Sequence, residues 1–229
     1  MCGIFGVVGS REVTPLIIDG LRKLEYRGYD SAGLATIQNP NNNQFGELLI
    51  RKSKGKLINL SNVIKQKPIQ GHLGIGHTRW ATHGKPNEQN AHPHVDFSGQ
   101  IAVVQNGIIE NYRDLSKSLQ LKGIKPISDT DTEMIPHLIG LEIEKLLDNG
   151  LLANGQTLLK AVQKVLDLLE GTYSIAVIWS KVPATLLVAR RQAPLVIGFG
   201  EGEFFCASDT PALAGFTRTF LPLRDHEIA

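Results

Sequence analysis

Residues 1–9 read Met1-Cys2-Gly3-Ile4-Phe5-Gly6-Val7-Val8-Gly9, and the rest of the chain is read outward from them. Gly3 to Gly9 is a short apolar run bounded by glycine, which predicts a strand that opens the chain. Cys2 stands directly before it. With Met1 removed, Cys2 carries a thiol and a free α-amine on one residue. A thiol is a strong nucleophile, and an adjacent amine can take its proton. An α-amine titrates near ~8, so part of it is basic at neutral pH. The small side chain at position two also suits removal of Met1. With Met1 retained, the Cys2 nitrogen is an amide and no base. The opposing reading is an ordinary buried thiol, because free cysteine packs as a small hydrophobe. Position alone does not separate the two.

Downstream, a helical stretch begins at Glu12 or Thr14 and runs to about Tyr26, with Leu16, Ile17, Leu21 and Leu24 at helical spacing. Arg27 to Ser31 is a polar link. Strands are expected at Gly33 to Gln38 and Glu47 to Lys52, joined by a turn through Asn39-Pro40-Asn41-Asn42-Asn43. Leu57 to Gln66 reads as a short helix, and Leu73 to His77 as a strand leading into a loop, Thr78 to Gly84. Glu88 to His94 is polar and loop-like. Gln100 to Gln105 is a strand ending at Asn106-Gly107.

Three helices follow: Tyr112 to Lys122, Thr130 to Asn149-Gly150, and Thr157 to Glu170. Thr130 and Glu133 fit a capping box at the second start. Pro136 inside that helix predicts a kink or a shifted start. Strands then crowd at Thr172 to Trp179, Thr185 to Ala189, Leu195 to Phe199 and Glu203 to Ala207, spaced for antiparallel hairpins. No linker, repeat or low-complexity tract divides the chain. The expectation is one α+β domain, with strands at both ends and helices between them.

The bulk properties narrow the function. The chain has 229 residues and a net charge of +2 with acids and bases interspersed, which leaves no electrostatic footprint for nucleic acid or an anionic membrane. Cys2 and Cys206 are its only cysteines, too few for a disulfide framework. Cys206, in an apolar strand, reads as a packing residue. The opening residues do not read as a signal peptide and no apolar run approaches the ~20 residues that span a bilayer, so the expected location is cytoplasmic.

A cysteine enzyme acting on an amide needs donors where oxyanion charge develops. Asn106-Gly107 offers a side-chain amide and a backbone N–H, or alternatively a plain Asn-Gly turn. A zwitterionic amino-acid substrate needs a cation for its carboxylate and an acid for its ammonium. Arg79, among Thr78, Thr82 and His83, is suited to the first. Asp131, in Ser128-Asp129-Thr130-Asp131-Thr132, suits the second, or simply complements a helix dipole. His72, His77, His83, His92 and His94 raise a metal site, but their spacing matches no familiar ligand motif. Gly6-Val7-Val8-Gly9 and Gly74-Ile75-Gly76 complete no phosphate-loop pattern.

Four segments occurring in order carry a resemblance: Cys2 to Gly6, Leu24 to Gly33, Gly76 to Gly84, and Gln105-Asn106-Gly107. Together they resemble the class II glutamine amidotransferases, members of the N-terminal-nucleophile hydrolases. Tyr26 to Gly33 and His77 to Gly84 resemble in particular the branch whose second half, a sugar isomerase, uses the ammonia to aminate fructose 6-phosphate. The resemblance spans nearly the whole chain. It implies a four-layer αββα sandwich of two antiparallel sheets flanked by helices.

The resemblance also implies L-glutamine as substrate, no cofactor and no metal. Cys2 would be the nucleophile, Asn106 and Gly107 the oxyanion hole, and Arg27 a neighbour that sets the nucleophile's geometry. Arg79, Thr82 and His83 would hold the α-carboxylate, Asp131 the α-ammonium, and Trp80 would gate ammonia. Residues 1–229 would then be a glutaminase domain that lacks its covalently linked sugar-isomerase domain, and the full-length protein a homodimer. The alternatives are another class II amidotransferase such as one serving purine synthesis, an idle amino-acid-binding regulatory module, and a metal-dependent hydrolase.

Overall fold

In β1 (Gly3–Gly9), side chains alternate between two apolar environments. Ile4 and Val8 point one way, into a core shared with Ile75 and Val104, while Phe5 and Val7 point the other, onto Val13, Ile17 and Leu21. A strand buried on both faces belongs in the middle of a sheet that is covered on both sides. A computed structural model, which describes residues 2–39, 45–80 and 84–229, places it there.

In chain order the remaining elements are α1 (Val13–Arg22), β2 (Ser31–Gln38), β3 (Glu47–Lys54), α2 (Leu57–Gln66), β4 (Leu73–Arg79), β5 (His94–Val95) and β6 (Ile101–Ile109). They are followed by α3 (Tyr112–Leu121), α4 (Met134–Asp148), α5 (Gly155–Leu166), β7 (Gly171–Trp179), β8 (Leu186–Arg191), β9 (Val196–Phe199), β10 (Glu203–Ala207) and β11 (Thr219–Pro222). The described strands form two sheets, ordered β11-β9-β10-β1-β4-β2-β3 and β5-β6-β7-β8. Every pairing between them is antiparallel.

Three cores stack the layers. Helices α1 and α2 bury Ile17, Leu21, Leu57 and Leu60 on the outer face of the first sheet. Helices α3 to α5 bury Leu119, Ile139 and Val162 on the outer face of the second. Between the sheets, Ile4, Ile37, Leu73 and Ile75 meet Ala102, Val104, Ala176 and Ile178. Each fully buried aliphatic chain there is worth about 1.5–3 kcal/mol, which holds the sheets face to face. The α+β, four-layer αββα sandwich is thus the architecture of the molecule.

Local expectations met mixed outcomes. The strand Gly3–Gly9, the helix Leu57–Gln66 and the strand Glu203–Ala207 match residue for residue. Helix α1 ends early, at Arg22, and a 3-10 turn over Glu25–Arg27 follows. The capping box at Thr130 does not form: α4 starts at Met134, and the Glu133 carboxylate instead accepts the N–H groups of Ile127 and Ser128. Pro136 accordingly sits in the first helical turn, where no intrahelical N–H bond is lost. Asn106-Gly107 does not end its strand, because β6 runs on to Ile109, with Asn106 opposite Ser174 and Gly107 opposite Tyr173. Thr78 and Arg79 belong to β4 rather than to a loop. Of the turn expected at 39–43, only Asn39 lies within the described residues.

Candidate active site

The site forms where the ends of β1, β4 and β10 meet β6 of the facing sheet. Register dictates who enters. On β4, Leu73 and Ile75 face the second sheet, so His77 and Arg79, at the same parity, face it too. On β6, Ala102 and Val104 face the first sheet, so Asn106 does likewise. Gly3 pairs with Thr78, which sets Cys2 beside the end of β4.

The Cys2 thiol is partly buried between strand ends. The backbone N–H of Trp80 donates to Cys2 Sγ at 3.2 Å, and the Trp80 carbonyl lies 3.5 Å from the same sulfur. Burial raises the thiol above its ordinary 9.0, with the Trp80 N–H and the Arg79 charge pulling the other way. The Cys2 carbonyl is gripped twice, by Arg27 Nε at 3.0 Å and by Asn106 Nδ2 at 3.2 Å. Asn106 is itself oriented: His77 Nε2 lies 2.9 Å from Asn106 Oδ1. An amide oxygen only accepts, so the imidazole carries its proton on Nε2.

Arg27 reaches Cys2 because the 3-10 turn after α1 swings it inward. Its Nη1 donates to Asp209 Oδ2 at 3.0 Å, and Tyr26 donates its phenol to the same carboxylate oxygen. The following residue, Gly28, has φ +107, and a Cβ there would lie 2.2 Å from the Trp80 ring. Only glycine lets the turn close beneath that indole. Trp80 remains half exposed, at 54%.

Arg79 is 4% exposed. Its Nη2 donates to the Gly84 carbonyl at 3.4 Å, and its Nη1 lies 3.9 Å from Asp30 Oδ1. Asp131 is 5% exposed and accepts the Ile109 N–H at 2.7 Å. It is therefore tied to the end of β6 and precedes the α4 terminus by three residues. Thr82 and His83 lie outside the described residues. Gly107 has φ +121, and a Cβ there would sit 2.0 Å from the Thr172 carbonyl.

Behind Asn106 stands a column of rings that sequence reading did not assign. His77 stacks on His92 with centroids 4.1 Å apart, and His92 meets His94 edge-on at 4.8 Å. Burial lowers all three, His77 to about 3, so they are neutral packing and hydrogen-bonding groups near neutral pH. Among the described residues, no group of three or more His, Cys, Asp or Glu is placed to hold a metal ion. Also missed were Asp30 and Asp209, acids far in sequence from the arginines they meet; only their place beside arginines in space reveals them. No helix among the described residues is long and apolar enough to cross a membrane.

The sandwich of two antiparallel sheets between helix layers, with Cys2 directly before the central strand β1, is that of the N-terminal-nucleophile hydrolases. The chain belongs to the glutamine amidotransferase domain family, whose model matches residues 77–215. Over its whole length it is 56% identical to the glutamine–fructose-6-phosphate aminotransferase (isomerizing) of Thermosynechococcus vestitus and 52% identical to that of Nostoc sp.. It covers 35% of each, and so spans about a third of the length of the curated relatives it matches. Among solved structures it resembles glutamine phosphoribosylpyrophosphate amidotransferase from B. subtilis, with a TM-score of 0.79 and 26% identity over 99% of this chain and 46% of that one.

Proposed function

We propose that this chain hydrolyses the side-chain amide of L-glutamine through a γ-glutamyl thioester on Cys2. The observation that carries the reading is the junction at Cys2. Its sulfur meets the Trp80 N–H, while its carbonyl is held by Arg27 and by an Asn106 amide that His77 orients. With Met1 removed, the Cys2 amine takes the thiol proton and the sulfur attacks the amide carbon. The oxygen of the tetrahedral intermediate is stabilised by Asn106 Nδ2, which has a second N–H besides the one on the Cys2 carbonyl, and by the Gly107 N–H. The amine returns its proton to the departing nitrogen, ammonia leaves, and water cleaves the thioester to glutamate.

Arg27 is a positioning residue, since it acts through the Cys2 carbonyl. Arg79 takes the substrate α-carboxylate, with Thr82 and His83 beside it, and Asp131 takes the α-ammonium. Burial of both Arg79 and Asp131 supports a pair of fixed, desolvated charges. Trp80, half exposed and bonded to the sulfur through its backbone N–H, gates the route of the released ammonia.

In the whole protein we infer a covalently linked sugar-isomerase domain that aminates fructose 6-phosphate to glucosamine 6-phosphate, a homodimeric assembly and a cytoplasmic location. The identity to relatives about three times longer supports this. Residues 1–229 are then the glutaminase domain.

The test is to treat the purified chain with an electrophilic glutamine analogue and record intact and N-terminal peptide masses. A single adduct on a Met-free Cys2 is the expected result. An adduct elsewhere, or none despite glutamine binding, sinks the mechanism.

A further inference from the structure

Arg79 and Asp131 are the two buried charges of the site, and they stand on separate parts of the chain. Arg79 closes β4, whereas Asp131 lies between α3 and α4. One side chain bonds to the neighbourhood of both. Asn90, 1% exposed, sits on the segment that leads from β4 to β5. Its Oδ1 accepts the Asp129 N–H at 2.9 Å. Its Nδ2 donates to Asp129 Oδ2 and to the Lys85 carbonyl, each at 3.0 Å. An amide offers two N–H donors and one oxygen, so both ends of this one are engaged. The Asn90 backbone N–H donates in turn to Asn87 Oδ1 at 2.6 Å, which ties the loop 85–90 together.

Gly84 presses against the Asn90–Asp129 bonds. Its φ is +75, and a Cβ there would lie 2.6 Å from Asn90 Nδ2 and 2.7 Å from Asp129 Cβ. The Gly84 carbonyl is the one that accepts from Arg79 Nη2. Arg79 thus rests on Gly84, Gly84 on Asn90, and Asn90 on Asp129, two residues before Asp131. The Asp131 end is anchored independently. Thr130 Oγ1 lies 2.9 Å from His94 Nε2, Thr132 Oγ1 donates to Gln105 Oε1 at 2.6 Å, and Asp131 itself takes the Ile109 N–H. Releasing Asn90 would therefore free the Gly84 loop against a fixed Asp131, and the separation of the two charges would no longer be set.

We propose that Asn90 is a positioning residue that fixes the spacing of Arg79 and Asp131, and with it the recognition of a carboxylate and an ammonium on one carbon. The proposal rests on the reading of those two residues as the holders of the glutamine head group. A clamp of two charges gains affinity from being ordered before its ligand arrives, because the cost of ordering it is then absent from binding. Asn90 makes no bond to Cys2, so the chemistry at the sulfur is not its concern.

Calorimetric titration of L-glutamine into the purified chain carrying Cys2→Ala, which binds without turnover, is the test. Asn90→Ala in that background should weaken glutamine binding by about tenfold or more, the scale of a buried hydrogen bond lost. Asn90→Asp sets a second carboxylate against Asp129 and should weaken it further. Asp129→Asn alone keeps an oxygen for the Asn90 amide and should bind within about threefold of its parent. Combined with Asn90→Asp, it places a donor opposite the new carboxylate and should recover most of the loss. In the active chain, Asn90→Ala should raise KM for glutamine by the same factor while kcat changes by less than about threefold. The rate at which iodoacetamide alkylates Cys2 should stay the same.

If the Cys2→Ala parent does not bind glutamine, the proposed function itself fails and takes this role with it. If the parent binds and the Asn90→Ala and Asn90→Asp forms bind as tightly, the role of Asn90 alone is overturned. It is overturned as well if Asp129→Asn recovers nothing, or if kcat and Cys2 alkylation fall together with affinity, since Asn90 would then support the whole site rather than the clamp.

Discussion

His77 Nε2 and Asn106 Oδ1 lie 2.9 Å apart, each on a different sheet of the sandwich. This one bond joins the two layers at the place where the Asn106 amide meets the Cys2 carbonyl. Burial lowers the His77 imidazole to about 3, so it stays a fixed neutral donor at any pH the enzyme would meet.

Removing that donor should therefore spoil turnover rather than substrate affinity. His77→Ala frees the Asn106 amide to rotate, and loss of one buried hydrogen bond of about 1–3 kcal/mol predicts a kcat lower by roughly 10–100-fold with KM for glutamine changed far less. His77→Gln, whose amide N–H can donate to Asn106, should recover part of the loss. Steady-state glutaminase assays of both variants decide the point. An equal rise in KM with kcat intact would place His77 outside this role.

The histidine column also makes a stability prediction with a definite sign. An unfolded imidazole takes up its proton near ~6.5, whereas His77, His92 and His94 are lowered by burial. The unfolded chain thus binds more protons below that pH. Stability present above ~6.5 is lost as pH falls, by up to about 1.4 kcal/mol per pH unit for each histidine. The Glu133 carboxyl acts in the same direction but lower. Burial pushes it up, yet hydrogen bonds from His137, Ile127 and Ser128 hold it at about 2, so its contribution fades only below its ordinary 4.5. Urea unfolding at several pH values between neutral and mildly acidic should show this slope, and a flat profile would contradict it.

Gly107→Ala should be among the most damaging single-methyl additions in the molecule. The backbone φ is +121, and the new Cβ would meet the Thr172 carbonyl at 2.0 Å. Such a strained conformation costs on the order of 1–3 kcal/mol, before the strand β7 is pushed away. A fall in the urea midpoint together with loss of glutaminase activity is expected. A variant with wild-type stability would mean that β6 tolerates a different path.

These consequences were unevenly visible in the residues. Gly3–Gly9 and Leu57–Gln66 announce themselves because their periodicity is local and their ends are marked. The two-residue strand β5 is too short to carry a period, and β11 is exposed at every position, so burial leaves no alternation to read. Asn106-Gly107 has the composition of a turn, yet pairing with Ser174 and Tyr173 keeps it within the β6 ladder: tertiary contacts outweigh the local preference. Cys2 and Asn106-Gly107 stood out as residues, and Arg27 entered only through the resemblance. Their organisers did not stand out, because His77 meets Asn106 across 29 positions and Arg27 meets Asp209 across 182, and no local pattern encodes such a meeting.

Arg27→Lys tests the long-range clamp. The guanidinium donates from Nε to the Cys2 carbonyl and from Nη1 to Asp209, a fork that a single ammonium cannot reproduce. With one charged hydrogen bond worth about 1.5–3 kcal/mol, kcat should fall by roughly ten- to a hundredfold. Asp209→Asn, which leaves Arg27 in place with a weaker partner, should cost less. If both variants turn over glutamine normally, Arg27 does not set the geometry of Cys2.

Processing of the N-terminus should govern the reactivity of Cys2. With Met1 in place there is no α-amine to act as base, and burial holds the thiol above 9.0 despite the Trp80 N–H. Less than about 1% is then thiolate at neutral pH, and alkylation by iodoacetamide should be slow and accelerate only as pH climbs past that value. Removal of Met1 supplies the amine, and the rate at neutral pH should rise by about tenfold or more. Cys206 is an internal control in both forms, since burial pushes it up to about 12 and it should stay unlabelled. Peptide mass spectrometry of alkylation time courses, run on processed and unprocessed chains, reads each cysteine separately. Equal rates at Cys2 in the two forms at neutral pH would show that its own amine does not activate it.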